Sequence, residues 1–283
     1  MSKSVIFSDH SVIPAIGQGT WYMGENAGQR KQEADALRLG LDSGLTLIDT
    51  AEMYADGGAE EVVGEALRGR REQAFLVSKV YPWNAGTVDA VDACERSLRR
   101  LQTDYLDLYL LHWRGSVPLQ ETIAAMETMR RAGKILRWGV SNFDSDDLSE
   151  LLAEEGGRNC AANQVLYHLA SRGIEYDLLP DCQQSNIPLM AYCPLAQAGR
   201  LRHDLMSHPL LNQIAQQKSI TVAQLLLAWV IRKEGVIAIP KAGSLQHVKE
   251  NAAALDVTLT SDELALINQA FPPPDRKMPL DVV

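Results

Sequence analysis

The sequence of 283 residues lacks the features of a secreted, membrane-spanning or metal-dependent protein. Its four cysteines form no C-x-x-C pair and have no histidine cluster nearby, so we expect reduced thiols and neither a zinc site nor a redox dithiol. The amino-terminal residues contain no apolar run of signal-peptide length. The longest apolar stretch, residues 222–231, is about half of the ~20 residues that a transmembrane helix needs. We therefore expect a soluble cytoplasmic protein.

A surplus of positive charge is also missing. Lysine and arginine total 27 against 36 aspartates and glutamates, which gives a formal net charge of −9. Nonspecific binding to nucleic acid or to an anionic membrane is therefore not expected. A polyanionic cofactor would need local cations or helix N-termini. The share of hydrophobic residues, 46%, is typical of a folded globular chain, and a chain of this length needs no disulfide or metal to hold its core.

Short apolar runs alternate with amphipathic stretches along the chain. The apolar runs predict strands at residues 17–21, 44–49, 74–79, 105–112, 135–141, 162–167, 188–192 and 236–240. The amphipathic stretches predict helices at residues 31–43, 59–68, 88–101, 119–132, 146–153, 174–184, 221–232 and 245–254. Eight alternating pairs are typical of parallel strands joined by crossover helices.

Two α/β folds fit that alternation, an open dinucleotide-binding sheet and a closed (β/α)8 barrel. An open sheet of this kind carries G-x-G-x-x-G after its first strand, whereas residues 17–19 read G-Q-G and residues 20–22 read T-W-Y. The missing third glycine and the eight repeats favour the (β/α)8 (TIM) barrel. No linker interrupts the chain, so we expect one domain over residues 1–283. A hairpin at residues 5–16 is expected to cap the barrel floor, and Thr260 with Glu263 predicts an extra carboxy-terminal helix at residues 261–270.

Polar side chains end several of the predicted strands. Asp49 ends the second strand and Tyr54 follows it, while Lys79 and His112 end the third and fourth strands. The carboxyl ends of barrel strands meet at one face, where barrel enzymes carry out their chemistry. Taken singly, these four residues could be a helix cap, a packed ring, a rim charge and a core histidine. Their joint placement at one mouth favours a chemical role.

Proton transfer beside a cation is the chemistry that these four residue types suggest. The ordinary pKa of tyrosine lies near 10, and we expect the Lys79 ammonium to lower it for Tyr54 while Asp49 holds Lys79 charged. His112 can direct a substrate oxygen. No nucleophile is paired with a base, so a hydride-carrying cofactor is the natural partner. Two alternatives stay open: a lyase or aldolase that uses Lys79 as a Schiff base, and a binding protein without catalysis.

Four segments of the chain resemble motifs of one enzyme family. Residues 44–54, G-L-T-L-I-D-T-A-E-M-Y, with G-E-A-L at 64–67, resemble the first signature of the aldo-keto reductases. Residues 106–113, 133–143 and 239–241 are similar to the family's fourth strand, fifth-strand segment and third signature. The resemblance extends over residues 17–251 and is nearest to bacterial aldehyde and methylglyoxal reductases. It implies NADPH-dependent reduction of aldehydes and small dicarbonyls, with Asp49, Tyr54, Lys79 and His112 catalytic and Tyr54 as general acid.

The resemblance also implies cofactor contacts around the nicotinamide. Ser141, Asn142 and Gln164 match the positions that hold the carboxamide, and Tyr192 matches the aromatic ring that stacks on the nicotinamide. Four further residues line the same end: Gly19, Thr20, Trp21 and Asp49. The substrate pocket is expected to include Trp21, Tyr54, Trp83, His112 and Trp113. The family resemblance favours a monomer.

The phosphate and adenine contacts are expected on the last two barrel strands and the segments that follow them. The pyrophosphate side is expected at Pro194, Leu195 and Gln197, the phosphate segment at Ile239, Pro240, Lys241 and Ala242, and the adenine contacts at Glu250 and Asn251. Lys241 matches the cation for the 2′-phosphate. Ala242 and His247 depart from the family pattern of a hydroxyl and an arginine, and arginine is the better phosphate clamp. NADPH is favoured on Lys241 alone, and use of NADH stays open.

Overall fold

An antiparallel hairpin covers one end of the molecule in the computed structural model, which describes residues 3–283. Its strands are β1 (Ser4–Ile6) and β2 (Val12–Pro14). The hairpin buries Phe7 against Phe75, with ring centroids 5.2 Å apart, at the amino-terminal start of a barrel strand. The predicted hairpin cap on the barrel floor is therefore confirmed.

Eight parallel strands follow and are hydrogen-bonded in chain order. They are β3 (Gln18–Gly19), β4 (Leu47–Asp49), β5 (Phe75–Val80), β6 (Leu108–Leu111), β7 (Trp138–Ser141), β8 (Cys160–Leu166), β9 (Leu189–Tyr192) and β10 (Val236–Ala238). Each lies within, or within two residues of, a predicted strand. Every residue of these eight strands is buried except Tyr192, the last residue of β9, as expected of strands covered on both faces.

The barrel closes where the first and last of these strands meet. The Gly17 amide donates to the Ala238 carbonyl over 2.8 Å, and the Gly19 amide donates to the Pro240 carbonyl over 3.0 Å. A Cβ atom on Gly19 would lie 2.7 Å from the Ile239 carbonyl oxygen, so this close approach requires glycine. The predicted (β/α)8 barrel is confirmed.

Helices surround the barrel. They are α1 (Arg30–Asp42), α2 (Gly58–Leu67), α3 (Asp89–Leu101), α4 (Leu119–Arg131), α5 (Ser145–Ala153), α6 (Leu178–Gln184), α7 (Arg200–Ser207), α8 (Pro209–Gln217), α9 (Val222–Val230), α10 (Leu245–Ala253) and α11 (Ser261–Ala270). The last helix begins at the predicted Thr260–Glu263 capping box. Within residues 3–283, none of the helices combines the length and apolar character needed to cross a bilayer.

Two helix predictions need correction. The helix expected over residues 174–184 is split, because the Asp177 side chain accepts a hydrogen bond from the Leu178 amide and starts α6 there. The segment between β9 and β10 holds three helices rather than the single one expected over residues 221–232. The additional α7 buries only Leu205 and therefore carries almost no apolar periodicity.

Candidate active site

The carboxyl ends of three neighbouring strands bring four predicted side chains together. Asp49 ends β4, Lys79 lies near the end of β5, and His112 follows β6. The Lys79 Nζ atom lies 2.8 Å from Asp49 Oδ2 and 3.1 Å from the Tyr54 hydroxyl. The Tyr54 and His112 rings meet edge to face with centroids 5.9 Å apart. These four groups form a contiguous cluster at the barrel mouth.

Lys79 is fully buried and has a partner for each of its ammonium protons. Besides Asp49 and Tyr54, it donates to the Thr50 carbonyl over 2.9 Å. A Schiff-base lysine needs a free nitrogen lone pair that can approach a carbonyl carbon. The geometry here directs the nitrogen into the protein, which argues against the lyase alternative.

The pKa of Tyr54 shifts in the direction opposite to the one expected from the sequence. Burial, followed by the negative charge of Asp49, raises the pKa of Tyr54 well above 10.0. Burial lowers the pKa of Lys79 from 10.5, and Asp49 opposes that shift. Burial and the carboxylate together hold Tyr54 as the protonated acid at neutral pH. This corrects the sequence-based expectation.

His112 is a neutral imidazole. Burial and the Lys79 charge lower its pKa from 6.5 to about 2. Its Nδ1 atom is buried and has no hydrogen-bond partner among the described residues. Its backbone carbonyl is held by the Asn142 side-chain amide at 3.1 Å, which fixes the residue at the cavity wall. A neutral imidazole here can donate one N–H to an oxygen atom between His112 and Tyr54.

Asp49 has a second anchor that the sequence did not suggest. Gln164 Nε2 donates to Asp49 Oδ1 over 2.7 Å, and the Ser141 hydroxyl donates to the Gln164 carbonyl over 2.8 Å. Ser141 therefore has only lone pairs left to offer to a ligand. The Gln164 side chain, assigned from the sequence to a cofactor carboxamide, also orients the carboxylate that holds Lys79.

Asn142 and Tyr192 form one wall of the same space. Asn142 has a left-handed backbone with φ 57°, a conformation that asparagine tolerates better than most residues. The Tyr192 hydroxyl donates to Asn142 Oδ1 over 2.8 Å, which fixes the plane of the phenol ring. A flat ligand ring can stack on that half-buried aromatic face.

One cavity of about 330 Å³ contains most of the residues singled out in the sequence. Tyr54 and His112 lie in its wall, and Lys79 lies behind Tyr54. The other predicted residues in the wall are Gly19, Thr20, Trp21, Asp49, Trp113, Ser141, Asn142, Gln164, Tyr192, Pro194, Leu195, Gln197, Ile239, Pro240 and Lys241. The predicted site is thus a continuous surface in the folded chain.

Besides Lys79, five predicted residues lie outside that wall. Trp83 is 61% exposed, and it stacks on Tyr81 and meets Trp113 edge to face at the rim. The other four belong to the segment that begins after β10 and includes α10: Ala242, His247, Glu250 and Asn251. His247 and Lys241 line a second cavity of about 320 Å³. Lys241 lines both cavities.

Several cavity residues were not anticipated from the sequence: Tyr22, Met53, Cys193, Ala196, Ala198, Arg202 and Val283. Arg202 lies on the unpredicted α7, and its guanidinium makes no ion pair among residues 3–283. Burial raises the pKa of the Cys193 thiol to about 11, which makes it a poor nucleophile at neutral pH. Apolar periodicity gives no signal for such rim residues.

Comparisons with known proteins agree with this geometry. The sequence model of the aldo/keto reductase family matches residues 15–271. The methylglyoxal reductase YeaE of Escherichia coli K12 is 63% identical over 281 residues, which cover 99% of both chains. A crystal structure of an aldo/keto reductase from Klebsiella pneumoniae in complex with NADP and acetate is 64% identical, covers 100% of both chains and superposes with a TM-score of 0.98. A structure of the aldo-keto reductase from the same organism with NADPH has the same identity, coverage and score. The chain therefore belongs to the aldo/keto reductase family, as its sequence motifs predict.

Proposed function

We propose that this protein uses NADPH to reduce aldehydes and small dicarbonyls, such as methylglyoxal, to alcohols, with Tyr54 as the proton donor. The observation that carries the proposal is the Tyr54 hydroxyl, held 3.1 Å from the buried Lys79 ammonium in a cavity wall shared with His112. The proposal is supported by the similarity to a methylglyoxal reductase and to structures that contain NADP or NADPH.

The residues around Tyr54 perform the proton half of the reaction. His112 donates an N–H to the substrate oxygen and so orients the carbonyl. NADPH, when bound, supplies the hydride to the carbonyl carbon. Tyr54 gives its phenolic proton to the oxygen, and the Lys79 ammonium stabilises the phenolate that remains. Asp49 keeps Lys79 oriented toward the phenol throughout.

The described residues fit a dinucleotide phosphate. One cavity lies at Tyr54 and another at His247, and Lys241 belongs to both walls, a placement that suits an elongated ligand. Lys241 and Arg202 both line the first cavity, and neither side chain makes an ion pair within residues 3–283, so both charges are available to phosphates. Ser141 can accept a hydrogen bond from a carboxamide, and Tyr192 offers its ring face. Glu250 and Asn251 remain the proposed adenine contacts.

The substrate end is bounded by aromatic side chains. Trp21 stacks on Tyr22 and lies 6.4 Å from Tyr54 between ring centroids, and Trp113 follows His112. We propose that Trp83 extends this aromatic wall at the rim for larger aldehydes. The proposal further takes the protein to be a cytoplasmic monomer with one domain over residues 1–283.

A carbonyl panel measured with NADPH and NADH in parallel tests the proposal. Methylglyoxal, glyoxal and simple aldehydes should consume NADPH, which is followed by the loss of reduced-nicotinamide absorbance. A panel in which no carbonyl consumes either cofactor would contradict it. Borohydride added with a carbonyl substrate provides the control for the lyase alternative, and it should leave no covalent adduct on Lys79.

A further inference from the structure

The backbone just after Tyr54 is held in an uncommon conformation. Three successive residues are left-handed: Ala55 (φ 50°, ψ 37°), Asp56 (φ 52°, ψ 43°) and Gly57 (φ 88°, ψ −6°). Only glycine adopts this region without steric cost, so Ala55 and Asp56 are strained. Strain of this kind persists where surrounding contacts impose it. The contacts that hold this turn therefore bear on the position of Tyr54.

A buried carboxylate lies one helical turn beyond the strained residues. Glu60, in the first turn of α2, is completely buried and accepts hydrogen bonds from Ser78 Oγ and Arg100 Nε, each over 2.6 Å. Ser78 directly precedes Lys79 on β5, and successive strand side chains point to opposite faces. The hydrogen bond from Ser78 thus ties the Tyr54 segment to the strand that carries Lys79.

Arg100 also contacts the strained turn. A Cβ atom on Gly57 would lie 2.5 Å from Arg100 Cδ and Nε, so the arginine on α3 lies directly against this glycine. The same Nε atom donates to Glu60. Glu60, Ser78 and Arg100, the Glu60 cluster, thereby connect α2, β5 and α3 around the turn that follows the proton donor.

We propose that Glu60, Ser78 and Arg100 are positioning residues for carbonyl reduction, which hold the left-handed turn at 55–57 and so keep the Tyr54 hydroxyl beside Lys79. The inference rests on the proposed function, because it assigns a task relative to Tyr54. The Glu60 charge also acts on Lys79, whose pKa it raises against the effect of burial. Misplacement of a reacting group by about 1 Å can cost about a hundredfold in rate.

The test compares Glu60→Gln and Ser78→Ala with a matched ion pair on the barrel floor. The control is Arg71→Met, which breaks the largely buried ion pair between Arg71 and Asp107 at 2.7 Å, and neither residue lines the cavity. Each variant is measured for kcat and KM with methylglyoxal, for NADPH dissociation constant and for melting temperature. Asp56→Gly is added to each variant of the Glu60 cluster, because glycine adopts the left-handed turn freely.

The proposal expects kcat to fall about tenfold or more in Glu60→Gln and about threefold in Ser78→Ala, with NADPH affinity within about twofold of the wild type. Asp56→Gly should restore most of the lost kcat, and Arg71→Met should lower the melting temperature alone. Wild-type kcat in both cluster variants, or a loss that Asp56→Gly does not recover, overturns the inference. If Glu60→Gln does not fold, Ser78→Ala with and without Asp56→Gly decides. Absent turnover in the wild type itself would overturn the proposed function, and this inference with it.

Discussion

The base of the catalytic cavity and its outer rim each contain a lysine, but the two lysines differ in burial and in hydrogen bonding. Lys79 is fully buried, and its ammonium group donates hydrogen bonds to Asp49, the Thr50 carbonyl and Tyr54. Lys241 is exposed and makes no side-chain hydrogen bond or ion pair within the described chain. The buried charge is preorganised for one task before any ligand arrives. The exposed Lys241 ammonium is free to pair with an anionic group of a ligand, so we expect it to contribute to binding rather than to turnover.

The largest effect should come from Tyr54→Phe, which removes the proposed acid and keeps the ring. We expect kcat to fall about 10²- to 10⁴-fold, the usual share of general acid catalysis, because water must then supply the proton. The NADPH dissociation constant, measured by fluorescence titration, should stay within about twofold. A near-normal kcat would show that another group donates the proton, and would remove the distinction between base and rim.

Breaking the buried pair should damage both stability and turnover. Asp49→Asn leaves the buried Lys79 ammonium without its ion-pair partner, which should cost about 3–5 kcal/mol in the free energy of unfolding and abolish most activity. Replacing both partners, as in Asp49→Leu with Lys79→Met, should recover stability without activity. Urea denaturation and kcat separate the two effects. A double variant as unstable as the single one would contradict the argument from an unpaired charge.

His112 should make stability depend on pH. Its folded pKa is lowered to about 2, whereas the unfolded chain takes up this proton near 6.5. The stability it contributes is therefore complete above pH 6.5 and is lost as pH falls toward 2. Between pH 7 and 5 the loss should be about 2 kcal/mol. His112→Asn should remove that part of the urea-denaturation difference, while His203→Asn, at an exposed position, should not. Equal pH dependence in both variants would mean that His112 accepts a proton in the fold.

The smallest effect should come from the rim. Lys241→Gln should weaken NADPH binding about tenfold and leave NADH binding and kcat nearly unchanged, since only NADPH carries the 2′-phosphate. His247→Arg, beside the same second cavity, should tighten NADPH a few-fold through a bidentate contact. Titrations of both cofactors at two salt concentrations provide the measurement. If Lys241→Gln weakened the binding of NADPH and NADH equally, the lysine would contact a group that both cofactors share rather than the 2′-phosphate.

The sequence predicts the barrel well because its strands are short, apolar and separated by strongly amphipathic helices. It fails at α7, which buries a single leucine and therefore shows no apolar periodicity. Helix α8 does carry a signal that the prediction overlooked, since Pro209 occupies its first turn and Leu211, Ile214 and Ala215 are buried on one face. The start of α6 depends on a cap at Asp177 that competes with the preceding helical pattern.

The candidate site is predictable to the same degree and for a related reason. Residues at strand ends converge whatever their side chains do, which is why the cluster of four could be anticipated. The direction of the Tyr54 pKa shift could not, because it depends first on how deeply the folded chain buries the phenol and then on the Asp49 charge beside it. The contact from Gln164 to Asp49 joins residues 115 positions apart, and no local pattern indicates it.

The seam of the barrel, where Gly17 and Gly19 hydrogen-bond to Ala238 and Pro240, links ligand binding to local opening of the fold. Strand β3 contains only two residues, and this seam relies on a few backbone hydrogen bonds around Gly17, Gly19 and Ala238. Gly19 and Lys241 face each other across that seam, and both line the cavity. A ligand that contacts both sides is bound only while the seam is shut, so it must slow the local opening of these amides to hydrogen exchange. The bound cofactor would then stabilise the closed barrel wall that forms its own binding site.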